Sequence, residues 1–217
     1  MSTPLIIITR DRVSYTRLCV ASFERYDVDI HIVDHGSTWE PMIEYLDGSP
    51  HTVHRRQGEL SPHSLWEWDQ LANIASAGPY LVTDPDVVLD DACPADWLAA
   101  LAGELTVAGG RAKVGLGLRL DDLPDTPLAA SVRSWEAPFW DHRLASGKGF
   151  HAPVDTTLAL YRPLNITPTF ALVPAARLDA PYLLRHLPWY GELDEAEAKH
   201  YREHLVPGSS HWINGGW

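Results

Sequence analysis

Apolar runs and amphipathic stretches alternate along the first half of this chain, and that alternation restricts the fold more than any other feature. Leu5 to Thr9 is a short β-branched run, followed by the polar turn Arg10-Asp11-Arg12. A helical pattern comes next, with Tyr15, Leu18, Cys19, Phe23 and Tyr26 on one face. The run Asp29 to Asp34 ends in His35-Gly36-Ser37, and Ser37 with Glu40 forms a capping box for a helix carrying Met42, Ile43 and Leu46. His51 to Arg56 reads as a third strand, after which Gly58 and Ser61-Pro62 lead into a helix to about Ala77 with Leu65, Trp68, Ala72 and Ala75 on one side. Pro79 to Thr83 is a fourth strand, and Pro94 to Leu105 a helix with Trp97, Leu98 and Leu101 inward. Strands that alternate with helices in this way imply an α/β fold, a mainly parallel sheet flanked by helices, with ligands at the carboxyl ends of its strands.

The pattern changes after about residue 110. Lys113 to Leu120 alternates strictly, with Val114, Leu116, Leu118 and Leu120 on one face and Gly115, Gly117 and Arg119 on the other, which predicts one half-covered or ligand-facing strand. Residues 121–153 form a long functional loop region containing a helix near Thr126–Trp135, and Val154 to Arg162 is a further strand. Residues 193–204 predict a peripheral acidic helix and 205–217 a tail. At 217 residues the chain is expected to be one domain of the larger kind.

Asp84-Pro85-Asp86 closes the fourth strand. Side chains in an extended segment alternate faces, so two carboxylates two residues apart point the same way and can share one hard divalent cation. Like charges that close repel each other in a partly dry site, and a cation keeps both ionised. The competing reading is a strand followed by a polar turn.

A net charge of −12 with three lysines, Lys113, Lys148 and Lys199, excludes a nucleic-acid polymer as partner, because phosphate-backbone binding needs a basic surface. A small phosphate ligand remains compatible, since a metal, a few arginines and backbone N–H groups suffice to hold it. Nine Trp and eight Tyr offer flat faces suited to sugar rings and nucleobases. Cys19 and Cys93 provide neither a disulfide framework nor zinc spacing, so the chain suits a reducing cytosol and is expected to be cytoplasmic. No run approaches the ~20 apolar residues that span a bilayer.

Thr9-Arg10-Asp11, Ile32-Val33-Asp34-His35-Gly36-Ser37-Thr38, Gly58 and Thr83-Asp84-Pro85-Asp86-Val87, in this order, resemble the nucleotide-sugar half of GT-A glycosyltransferases, especially family 2-like members. In that family the second strand reads Val-Val-Asp-Asp-Gly-Ser-Thr-Asp and the metal motif is Asp-any-Asp. The resemblance covers residues 4–105; the segments Gly115 to Pro124 and Val154 to Arg162 look like parts of bacterial members of the same superfamily. It implies a single GT-A domain, with residues 1–110 as the nucleotide-sugar half and 111–217 as the acceptor half.

The resemblance also implies roles. Asp34 would accept hydrogen bonds from the base or ribose; Thr9, Arg10 and Arg56 (or Arg55) would contact the nucleotide or its phosphates. Asp86 would coordinate Mn²⁺ or Mg²⁺, Asp84 would hold the ribose or the metal through water, and His186 would complete the shell, with His151 and His211 as rivals. Asp155 would be the general base of an inverting transfer, with Glu136 second, and Trp135, Phe139 and Trp140 are candidates to stack on an acceptor sugar. The donor would be a UDP- or GDP-sugar and the acceptor an unknown hydroxyl.

Three other readings compete. In a phosphatase of the haloacid-dehalogenase type, Asp84 would be the nucleophile, but the pair follows several strands and Lys113 and Lys148 are poorly placed. A nucleotidyltransferase would want a Gly-rich loop after the first strand. A non-catalytic sugar-binding module would use the tryptophans without nucleotide or metal.

Overall fold

The computed structural model describes residues 2–56, 69–107, 110–163 and 174–204. Strand β1 (Thr3–Thr9) pairs in parallel with β2 (Val28–Asp34) on one side and with β4 (Tyr80–Thr83) on the other, and β2 pairs in parallel with β3 (Thr52–Arg55). Helices α1 (Val13–Phe23), α2 (Glu40–Asp47) and α3 (Asp69–Ala77) follow β1, β2 and β3. After β4 come β5 (Val87–Leu89), α4 (Trp97–Thr106), β6 (Lys113–Gly115), β7 (Gly117–Leu118), α5 (Pro127–Glu136), β8 (Gly149–Phe150), β9 (Ala159–Tyr161), β10 (Ala175–Leu178), β11 (Leu183–His186) and α6 (Glu195–Glu203). The main sheet has the order β3-β2-β1-β4-β9-β6-β10-β8, and β5-β11-β7 form a second, small sheet. It is a mixed, mostly parallel α/β sheet covered on both faces.

Alternation along β1 builds both cores. Leu5 and Ile7 join Ile30, Ile32, Phe23, Met42, Trp97 and Leu101 on one face, while Ile6 and Ile8 join Val33, Leu71, Tyr80 and Val82 on the other. Burying each such Ile or Leu stabilises the fold by roughly 1.5–3 kcal/mol, which is why a run with no polar face becomes a central strand. No helix among the described residues is long and apolar enough to cross a membrane.

Several sequence expectations are corrected. Residues 113–120 are two strands in different sheets, because the chain steps from one sheet to the other at Leu116, and every residue from 113 to 118 is buried. The glycines there do permit close approach, but of protein: a Cβ on Gly115 would lie 2.9 Å from the Leu158 carbonyl, and one on Gly117 2.6 Å from that of Leu178. Within 154–162 only Ala159–Tyr161 is strand, so Asp155 sits in the preceding loop. Leu18 is 44% exposed despite its apolar spacing. The Ser37/Glu40 capping box does not form; α2 starts after Trp39 without a side-chain cap, and Ser37 is spent on Asp34. Acidic α6 is not peripheral, since Glu197 and Ala198 are buried against the body of the protein. Gly58, Ser61-Pro62, Leu65, Trp68 and the 205–217 tail lie outside the described residues.

Candidate functional site

Strand register gathers the predicted residues at one end of the sheet. Thr9 pairs with Asp34, Asp34 with Arg55, and Ile7 with Thr83, so the segments Thr9–Arg12, Asp34–Thr38, Arg55–Arg56 and Asp84–Asp86 all leave neighbouring parallel strands at their carboxyl ends. The small sheet brings in the last member. Because β11 runs antiparallel to β5 with His186 opposite Val87, His186 Nε2 stands 3.6 Å from Asp86 Oδ1. The Leu187 N–H donates to the Asp86 carbonyl at 2.8 Å and locks that register.

Of the acidic pair, Asp84 is the more deeply enclosed. Burial pushes the Asp84 carboxyl well above the usual carboxylate range, Asp86 and Asp155 add to the shift, and the Thr156 hydroxyl that donates to Asp84 opposes it. Asp84 N–H also donates to the Thr156 carbonyl at 2.8 Å. Asp86 Oδ1 is buried without a hydrogen-bond partner among the described residues, and so is His186 Nδ1. Burial lowers the His186 pKa, Asp86 working against that, and the imidazole rests on Trp189 with ring centroids 4.5 Å apart. A neutral imidazole nitrogen facing an orphaned carboxylate oxygen is a donor pair that suits a hard or borderline divalent cation. Among the described residues no group of three His, Cys, Asp or Glu side chains is close enough to cage one. The remaining positions would fall to water or substrate oxygens, as in open sites that receive a phosphate.

On the other side of the crevice, Asp34 Oδ1 accepts from Ser37 N–H at 3.0 Å and from Ser37 Oγ at 2.6 Å. Burial raises the Asp34 pKa while Ser37 lowers it. Gly36, at φ +73°, lets the chain turn back so that Ser37 reaches Asp34. Thr9 lies beneath the crevice, its hydroxyl 2.8 Å from that of Thr16 and its carbonyl accepting from His35 N–H. Arg10 contacts Asp11 at 3.7 Å, and Arg55 turns away to the surface to pair with Asp47. Arg56 N–H donates to the Asp34 carbonyl at 2.9 Å.

Asp155 is exposed and adjoins Thr156, which holds Asp84. Glu136 is 3% exposed and its carboxylate pairs with Arg177, whose Nε–H donates to the Pro153 carbonyl at 2.8 Å. Trp135 is exposed on α5, Phe139 lies under the Arg177 guanidinium, and Trp140 packs on Phe150. His151 is exposed, its N–H bonded to the His142 carbonyl; His211 lies outside the described residues.

Sequence reasoning missed four residues. Asp11, 1% exposed at φ +50°, accepts from the Thr38 and Trp39 N–H groups at 2.7 and 2.8 Å and so fixes the loop below Asp34. Arg12, Thr156 and Glu197 are the others. An Asp in a polar turn carries a recognisable signal for positive φ, but the contacts of the rest join distant parts of the chain.

No protein-family model matches the chain, and no curated protein does. Among solved structures, residues 1–349 of TarS from S. aureus match with a TM-score of 0.51 and 12% identity over 85% of this chain and 60% of that one. The same TarS segment in complex with UDP matches with a TM-score of 0.51 and 11% identity. A mannosyltransferase from Pyrobaculum calidifontis in complex with GDP-Man and Mn²⁺ gives 0.48 and 14% identity, covering 85% of this chain and 56% of that one. The chain thus spans less than two thirds of these proteins. Its fold is of the GT-A type.

Proposed function

We propose that the protein is a divalent-metal-dependent glycosyltransferase that moves a sugar from a UDP- or GDP-sugar to a hydroxyl acceptor with inversion. The observation that carries this reading is the Asp86–His186 pair, placed by β5 and β11 at the mouth formed by the ends of β1, β2 and β4. Asp34 meets the base or ribose with the oxygen that Ser37 leaves free, and Arg56 adds charge beside it. Thr9 acts from below, holding the loop, and Arg10 lines its edge. Asp84, tied to Thr156, faces the ribose or a metal-bound water, and Asp86 with His186 hold Mn²⁺ or Mg²⁺. When bound, that cation acts as a Lewis acid on the charge that develops on the departing nucleoside diphosphate.

Asp155 is the general base. It is exposed and adjoins the residue that orients Asp84, where an acceptor hydroxyl would approach the sugar. Glu136 ranks behind it because its buried carboxylate is committed to Arg177, which ties α5 to the Asp155 loop. The TarS complex with UDP supports a uridine donor without deciding between the two bases. The phosphatase alternative is not favoured, since the Asp84 carboxyl is buried and one of its oxygens is already occupied by the Thr156 hydroxyl, which leaves it a poor nucleophile. A thermal-shift series of UDP and GDP with and without Mn²⁺, followed by donor hydrolysis and the anomeric configuration of the product, tests the proposal. Stabilisation by neither nucleotide under any metal condition overturns it.

A further inference from the structure

One cation at the crevice has an environment that a packing role does not explain. Arg12 is 6% exposed in the turn after β1, with its guanidinium 4.1 Å from the Tyr15 ring centroid and 4.6 Å from that of Tyr201. Its carboxylate contacts, 3.7 Å to Glu192 and 3.9 Å to Glu197, lie beyond hydrogen-bond distance. A desolvated guanidinium ordinarily donates bidentate hydrogen bonds to a carboxylate or phosphate. Here two rings fix its plane and leave that fork unspent on Glu192 and Glu197. The turn that bears Arg12 and the Asp84–Asp86 turn leave adjacent strands at the same end.

The two carboxylates belong to the segment around α6. Glu197 is fully buried; its Oε2 accepts the Ser14 N–H at 2.7 Å, filling the first turn of α1, which has no side-chain cap of its own. Its Oε1 is buried without a hydrogen-bond partner among the described residues. Burial raises the Glu197 pKa, as expected for an anion that its site satisfies only in part. His200, one turn on, holds α6 against the nucleotide side: its Nε2 is 3.2 Å from Thr38 Oγ1 and 3.7 Å from Asp11, and its ring stacks on Trp39.

We propose that Arg12 is a diphosphate-binding residue of this site and that the carboxylates of Glu192 and Glu197 are its internal stand-in, so that donor binding and α6 docking compete for it. This rests on the glycosyltransferase reading. The incoming diphosphate supplies the close, charge-assisted hydrogen bonds that Glu192 and Glu197 do not make, and α6 loosens as Arg12 turns to it.

Calorimetry on the full chain with UDP and GDP plus Mn²⁺, and with uridine and guanosine, tests this in wild type, Arg12→Gln, Glu197→Gln and His200→Ala. Glu197→Gln retains an oxygen for Ser14 N–H and removes only the charge, so it is expected to bind the diphosphate several-fold tighter. His200→Ala, which releases α6 from a side that does not touch Arg12, shifts in the same direction. Arg12→Gln is expected to weaken diphosphate binding by roughly tenfold or more and to leave nucleoside binding unchanged. Amide exchange over residues 195–203 should quicken when the diphosphate is added to wild type. If wild type binds UDP or GDP while Arg12→Gln matches it, or Glu197→Gln binds no tighter, the Arg12 assignment is overturned and the enzyme reading stands. Should Arg12→Gln not fold, the Glu197→Gln and His200→Ala arms decide. Binding of no nucleotide by wild type or any variant removes both.

Discussion

β1 and β2 each run seven residues in continuous parallel register, whereas the described strands after residue 110 run two to four residues and divide between two sheets. The first region rests on repeated side-chain burial along each strand, so each element carries its own pattern. The second rests on glycines at backbone crossings and on charged knots. Asp90, 1% exposed at its side chain, accepts from Arg119 at 3.0 Å and from Arg185 at 2.9 Å, and thereby links β5, β7 and β11. Arg185 adjoins His186, so the small sheet that completes the site depends on this knot. The Asp34 side of the crevice is held by sheet register and the Asp86–His186 side by long-range polar contacts.

The sharpest way to break the contrast is at the seam between the regions. Asp86→Ala is expected to lower donor kcat/KM by about 10³-fold and to abolish the Mn²⁺ dependence of UDP binding, read by steady-state kinetics and calorimetry. Gly149→Ala probes the crossings: its Cβ would fall 2.0 Å from the Arg177 carbonyl, and a backbone atom cannot yield, so urea unfolding should show a loss of about 3 kcal/mol. Asp11→Ala, in the first region, strands two backbone N–H groups and should cost about 1–2 kcal/mol in the same assay.

A pH series sharpens the comparison further. Lys113, at the start of β6, is 1% exposed and donates to the Tyr161 hydroxyl at 3.2 Å. Burial drives its pKa down to about 7 from 10.5, the charge of Asp155 opposing the shift. The unfolded chain therefore binds the extra proton between those values, and stability from this group rises with pH across that window. Below about pH 7 the buried charge is a burden in the folded state. Lys113→Met should flatten the rise between pH 7 and 10.5 in thermal unfolding, and an unchanged slope would show that the amine is solvated.

The gathering of Asp34, Asp84 and Asp86 was legible because they sit at strand ends. Asp34, Asp84 and Asp86 each close an apolar run, and a parallel sheet brings such ends together whatever the loops do. His186 was legible only through resemblance, since its approach to Asp86 depends on antiparallel pairing between residues nearly a hundred positions apart. Lys113 to Leu120 misled because strict alternation predicts one strand facing two environments, and the chain instead changes sheets at Leu116. The Ser37/Glu40 spacing misled for a local reason: the Ser37 hydroxyl donates to Asp34 and accepts the Asp11 N–H, so it does not accept from the helix start. Glu197 showed nothing, because an acidic helix reads as solvated until its partner, the first turn of α1, is known.

By itself the sequence determined the α/β class, the mainly parallel direction of the early strands and the acidic residues at their ends, because burial periodicity and strand-end position are properties of neighbouring residues. The pairing of His186 with Asp86, the Asp90 knot and the seat of α6 on Arg12 were decided only by tertiary structure. Each joins side chains from distant segments, and the energy of a buried charge depends on what the folded chain places beside it.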